Sequence, residues 1–110
     1  MKVEPDLKLK VEEILSLVQR IAPGKSVELR IPYFGAIQCV IGSIHRRGTP
    51  ANVVEMSGQT LINLAENPGK WDQLCSLGMI RASGANSNLK EIFIQISKLS
   101  LELGWRFDGQ

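Results

Sequence analysis

The chain has 110 residues, a formal net charge of +2 and 44% hydrophobic residues, which suits one core with little volume left for a large ligand cavity. It has no apolar run long enough to span a bilayer, and acids interrupt its first residues where a signal peptide needs an apolar stretch. Its two cysteines, Cys39 and Cys75, lack C-x-x-C spacing, so the expectation is a cytoplasmic protein with inert thiols and no transmembrane segment.

From the N-terminus, "DLKLKVEEILSLVQRIAPGK" places Leu7, Val11, Ile14, Leu15, Val18 and Ile21 on one helical stripe, with Asp6 as N-cap after Pro5 and Pro23-Gly24 as the stop. "SVELRIP" alternates Val27, Leu29 and Ile31 against Glu28 and Arg30, the pattern of a half-buried strand. "FGAIQCVIG" is apolar at both parities, which predicts a strand in the middle of a sheet. Gly42-Ser43 between Ile41 and Ile44 predicts a two-residue type II′ turn, with Ile44 to Arg47 as a short return strand. Pro50 then marks an edge or an exit, and "NVVEM" is the next strand.

Ser57 caps a helix carrying Leu61, Ile62, Leu64 and Ala65, which Asn67-Pro68-Gly69 ends. A second short helix holds Trp71, Leu74 and Cys75, with Gly78 as its left-handed cap. "MIRAS" is a last strand, closed by Gly84. Beyond Asn88, the positions Leu89, Ile92, Phe93, Ile96, Leu99 and Leu103 have helical spacing, while Leu99, Leu101, Leu103, Trp105 and Phe107 also alternate as a strand would. Helix to about Leu103 is the favoured reading.

The chemistry of catalysis is thin. One histidine with no serine or cysteine paired to it in sequence makes no nucleophilic triad. One histidine and two scattered thiols are a poor metal set. "GANSN" lacks both the glycine spacing and the lysine of a phosphate loop. No catalytic residue, metal site or cofactor is expected.

Acids and bases alternate along the N-terminal third, but between Glu28 and Glu55 there is no acid, only Arg30, Arg46 and Arg47 beside the single His45. Two guanidiniums could grip a carboxylate or phosphate. On a strand, however, alternation sends Arg46 and Arg47 to opposite faces, and charged side chains on a short edge strand block pairing with another molecule. Edge protection is therefore the first reading of "HRR". Nucleic acid is not expected as a partner, because the few aromatics lie in apolar patterns instead of forming a stacking platform.

The segment "NVVEMSGQTLINLAENPGKWDQLCSLGMIRASG" runs strand, capped helix, short helix and then G-x-I-x-x-S-G. In that order it resembles the C-terminal half of the sterol carrier protein family, on Val53, Leu61, Leu64, Trp71, Gly78, Ile80, Ser83 and Gly84. Upstream, "VELRIPYFGAIQC" and "RGTPANVVE" look like a small bacterial branch of that family. The similarity covers about Ser26 to Leu89; the hairpin region is short, and no family motif is matched beyond Leu89.

What the resemblance implies is an α+β fold, a mostly antiparallel four- to five-stranded sheet covered on one face by helices. It would form one sterol-carrier-like domain over 1–110. Its parts would be an N-terminal helix at 1–25, strands at 26–56, two short helices at 57–78, a strand at 79–84 and a C-terminal helix at 88–103. The implied function is non-catalytic binding of a lipid or fatty-acyl ligand in an apolar cavity between sheet and helices. Positions in matching elements that would line such a cavity are Ile37, Val53, Leu61, Leu64, Trp71, Leu74, Ile80 and Phe93, with His45, Arg46 and Arg47 available to an anionic head group at its mouth. The alternative is a protein-interaction or accessory domain that keeps the fold with the cavity filled.

Overall fold

In the computed structural model, which describes residues 5–102, the apolar stripe of the first segment winds into helix α1, Pro5–Ile21. Val11, Ile14, Leu15 and Val18 are buried along it. Asp6 lies inside the first turn, not at the cap, and pairs with Lys10 one turn on at 3.2 Å.

Strands β1, Val27–Ile31, and β2, Gly35–Cys39, form an antiparallel hairpin. Its turn is Pro32-Tyr33-Phe34, where the Phe34 N–H donates to the Ile31 carbonyl at 2.9 Å and Tyr33 takes φ +72°. Proline second and positive φ third is the pattern of a type II turn.

Strand β3, Asn52–Met56, then pairs with β1 in parallel, and β4, Ile80–Ser83, pairs with β3 antiparallel. Among the described residues the sheet is four-stranded and mixed, in the order β2-β1-β3-β4. This corrects the expectation of a mostly antiparallel sheet. The cause is the 40–51 segment, which leaves the end of β2, passes the start of β1 and enters β3 on its far side, so that β3 must run in β1's direction.

No return strand forms at Ile44 to Arg47. Ile44 makes one isolated bridge with Pro50, and Gly42 does not take the positive φ that a type II′ turn requires. The chain turns out of the sheet one step earlier, at Val40 with φ +66°, whose N–H donates to the Ala22 carbonyl at 2.7 Å. Strand β2 is consequently an edge and not the middle of the sheet, and its Gly35, Ala36 and Gln38 are exposed.

Helix α2, Gly58–Glu66, starts at Ser57, whose Oγ accepts the Thr60 N–H at 3.1 Å. A 3₁₀ turn at Pro68–Lys70 leads into α3, Trp71–Ser76, and Gly78 reverses the chain with φ +74°. Helix α4, Lys90–Glu102, packs against α1 and α2. Residues 98–102 are therefore helical, while the expectation for 103–107 lies outside the described residues.

Alternation sends Val27, Leu29, Ile31, Val54 and Met56 to the helix-covered face, where all five are buried. Among the described residues none covers the opposite face, which carries the ion pairs Glu28–Arg30 and Glu55–Arg81. Between sheet and helices, Phe93 is fully buried and its ring stacks on Trp71 with centroids 6.5 Å apart. Burying a side chain of this kind contributes about 1.5–3 kcal/mol.

Candidate functional site

Parallel pairing of β1 with β3 gives the sheet two distinct ends. Where both strands finish, the Pro32–Phe34 turn, the β3–α2 link and the start of β4 enclose a cleft of about 490 Å³. Leu7, Pro32, Tyr33, Phe34, Met56 and Met79 supply its apolar walls. Gly58 makes room for one of them: a Cβ there would stand 2.9 Å from Cε2 of Phe34 and 3.2 Å from Cγ2 of Val11. A bare glycine at the head of α2 thus lets the Phe34 ring seat against the helix.

Polar groups are few. Glu55 and Arg81 face each other across β3 and β4 and are joined as an ion pair, the one charged feature among the described lining residues. Gln59 lies at the head of α2. Ser57 also borders the cleft, but its hydroxyl accepts the Thr60 N–H and donates to Thr60 Oγ1 at 3.0 Å, which commits it to capping. Such a surface suits an apolar chain with one polar end.

The residues proposed for a cavity lie elsewhere. Leu61, Leu64, Trp71, Leu74, Ile80 and Phe93 are all buried in the packed core. Ile37 is half-buried opposite Leu29 on the helix side, and Val53 faces the open side beside a shallow depression of about 270 Å³. None of the eight borders the 490 Å³ cleft. Periodicity marks side chains that pack, whereas the cleft is walled largely by turns and element ends. The available signal was "IPYFG", a proline and two large rings at a turn instead of inside a periodic segment.

At the other end of the sheet, where β1 and β3 begin, lies the 40–51 loop with His45, Arg46 and Arg47 exposed. The His45 N–H donates to the Thr49 carbonyl, and the Gly48 N–H donates back to the His45 carbonyl, each at 2.8 Å. The triad is thus a tight turn at the far end of the sheet from the cleft. Behind it, buried Ser26 and Asn52 share a hydrogen-bond network.

Burial pushes the Cys39 thiol up to about 11, and burial followed by the charge of Asp72 raises Cys75. Both thiols thereby lose nucleophilicity at neutral pH. Among the described residues no group of three or more His, Cys, Asp or Glu could hold a metal ion, and no helix is long and apolar enough to cross a membrane.

Nothing among the curated proteins matches the chain. The family described as bacterial SCP ortholog matches it over residues 4–94. A match of that extent, on an α+β frame with helices over one face of the sheet, establishes that the chain belongs to this bacterial sterol-carrier-like family.

Proposed function

We propose that this is a non-catalytic, cytoplasmic carrier domain that binds a lipid or fatty-acyl chain in the cleft at the finishing end of β1 and β3. The observation that carries the reading is the cleft's lining: aliphatic, thioether and aromatic side chains with a single ion pair. Its volume of about 490 Å³ falls within the range of about 300–1,000 Å³ usual for small-molecule sites. An amphiphile would lay its chain along Phe34, Met56 and Met79 and leave its polar end near Arg81.

Each methylene buried contributes about 0.8 kcal/mol, so two added methylenes tighten binding roughly tenfold until the cleft is full. Native mass spectrometry and thermal unfolding with a fatty-acid chain-length series test this. The melting temperature is expected to climb with chain length and then level off. Met79→Asp, at a position half exposed already, is expected to flatten the series without unfolding the protein. A flat series for the unaltered chain would overturn the carrier reading. It would favour instead an interaction or accessory domain, which the close-packed burial of Leu61, Leu64, Trp71 and Phe93 already suits.

A further inference from the structure

Three links converge where β1 and β3 begin: residues 22–26, the 40–51 loop and residues 84–89. Together they contain Lys25, Arg46 and Arg47 and not one aspartate or glutamate, and Arg20 adds a cation in the last turn of α1. The nearest acids in sequence are Glu28, engaged by Arg30, and Glu91 in the first turn of α4. Among the described residues, this end of the sheet is therefore cationic, although the net charge of the chain is only +2.

The same end exposes large aliphatic side chains. Ile41 is 83% exposed and Ile44 47%. They are held there by the backbone: Ser26 Oγ donates to the Ser43 carbonyl at 2.8 Å, Ile44 bridges Pro50, and Pro50 is buried. Val40 launches this loop from a left-handed conformation that a β-branched residue resists. The chain thus holds two isoleucines in water beside its arginines.

We infer that this end docks on an anionic lipid bilayer, with Ile41 and Ile44 entering the boundary between headgroups and acyl chains and Arg46, Arg47 and Lys25 meeting lipid phosphates. Aliphatic side chains beside long cationic ones suit that boundary, where the stems bury and the charged heads stay at the surface. Nucleic acid fits less well, because the exposed apolar side chains of this loop are the aliphatic Ile41 and Ile44, and the loop has no Phe, Tyr or Trp as a platform for bases. The inference is independent of what the cleft holds, since the cleft opens at the other end of the sheet.

Co-sedimentation of the full chain with vesicles tests it. Binding is expected to an equal mixture of phosphatidylcholine and phosphatidylglycerol, to fall with added salt, and to be far weaker to phosphatidylcholine alone. Arg46→Gln with Arg47→Gln is expected to weaken binding to the mixture about tenfold or more. Ile41→Ser with Ile44→Ser is expected to weaken it severalfold while leaving the salt dependence. These four side chains are exposed, and an unchanged melting temperature verifies the fold of each variant. Equal binding to both vesicle types, or full binding by either double variant, overturns the inference. Displacement of the vesicles by soluble glycerophosphate would assign the end to a free phosphate ligand instead. Displacement by a single-stranded RNA, with the isoleucine variant unaffected, would assign it to nucleic acid.

Discussion

The side-chain amide of Asn52, 3% exposed at the start of β3, donates to the carbonyl oxygen of Ser26 at 3.0 Å and to its Oγ at 3.1 Å. Its own Oδ1 accepts the Asn86 N–H at 2.9 Å. One side chain thus ties the link before β1 to the link before α4. Asn52→Ala leaves the Ser26 carbonyl its bond from the backbone N–H of residue 52 at 3.0 Å, and Ser26 Oγ its bond to the Ser43 carbonyl. It strips the Asn86 N–H of its acceptor, a loss that costs about 1–3 kcal/mol. The expected total is about 1–3 kcal/mol by urea unfolding, and a loss below about 0.5 kcal/mol would show that water replaces the amide. Gly84→Ala is expected to be comparably damaging, because a Cβ there overlaps Asn52 Oδ1 and φ is +111°. The two changes strike one contact, so their combined cost falls short of the sum.

Tyr33 couples stability to the cleft. Its φ of +72° occupies the turn position that glycine favours, yet its ring is 77% exposed at the cleft rim. Relieving left-handed strain in a non-glycine residue is worth about 1–2 kcal/mol, set against about 0.5–1 kcal/mol of added freedom in the unfolded chain. Tyr33→Gly is therefore expected to leave unfolding stability unchanged or raise it by about 1 kcal/mol. Acyl-chain binding, read by the same chain-length series, is expected to weaken. A variant that loses both stability and binding would make the ring a packing element of the turn.

Burial raises the carboxyl of Glu13 above its ordinary value of 4.5. The folded chain then holds that proton more tightly than the unfolded one, so stability falls as pH rises from below 4.5 through the raised folded value. Glu13→Gln is expected to melt at a slightly higher temperature than the unaltered chain at pH 7. The difference should vanish below pH 4. The group is only half-buried, which keeps the gain small. Parallel melting curves from pH 3 to pH 7 read it, and a gain that persists at pH 3 would trace to helix propensity instead.

Helices were more legible than strand neighbours, and the reason lies in where the instructions sit. The Ser57 cap, the Gly78 reversal and the stripe from Val11 to Val18 each act within a few residues. The parallel pairing of Val27 through Arg30 with Asn52 through Glu55 joins segments far apart in the chain, and no local residue encodes it. The hairpin departs from the local turn pattern for a more specific reason. Gly42-Ser43 has the residues a tight turn prefers, but the chain puts positive φ at Tyr33 and Val40, both unfavourable choices. Packing overrode local preference there. The cleft stayed hidden for a related cause, because Pro32, Tyr33 and Met79 sit in turns and at element ends, where periodicity says nothing.

Because β1 and β3 run side by side in one direction, the two ends of the sheet can be altered separately. A graft that lengthens or replaces residues 41–49 grows away from the cleft and leaves its walls in place. A change of length at Pro32–Phe34 reshapes the cleft without moving the arginines. One scaffold could thus accept interchangeable parts at either end, with the register of five-residue strands as the only shared requirement.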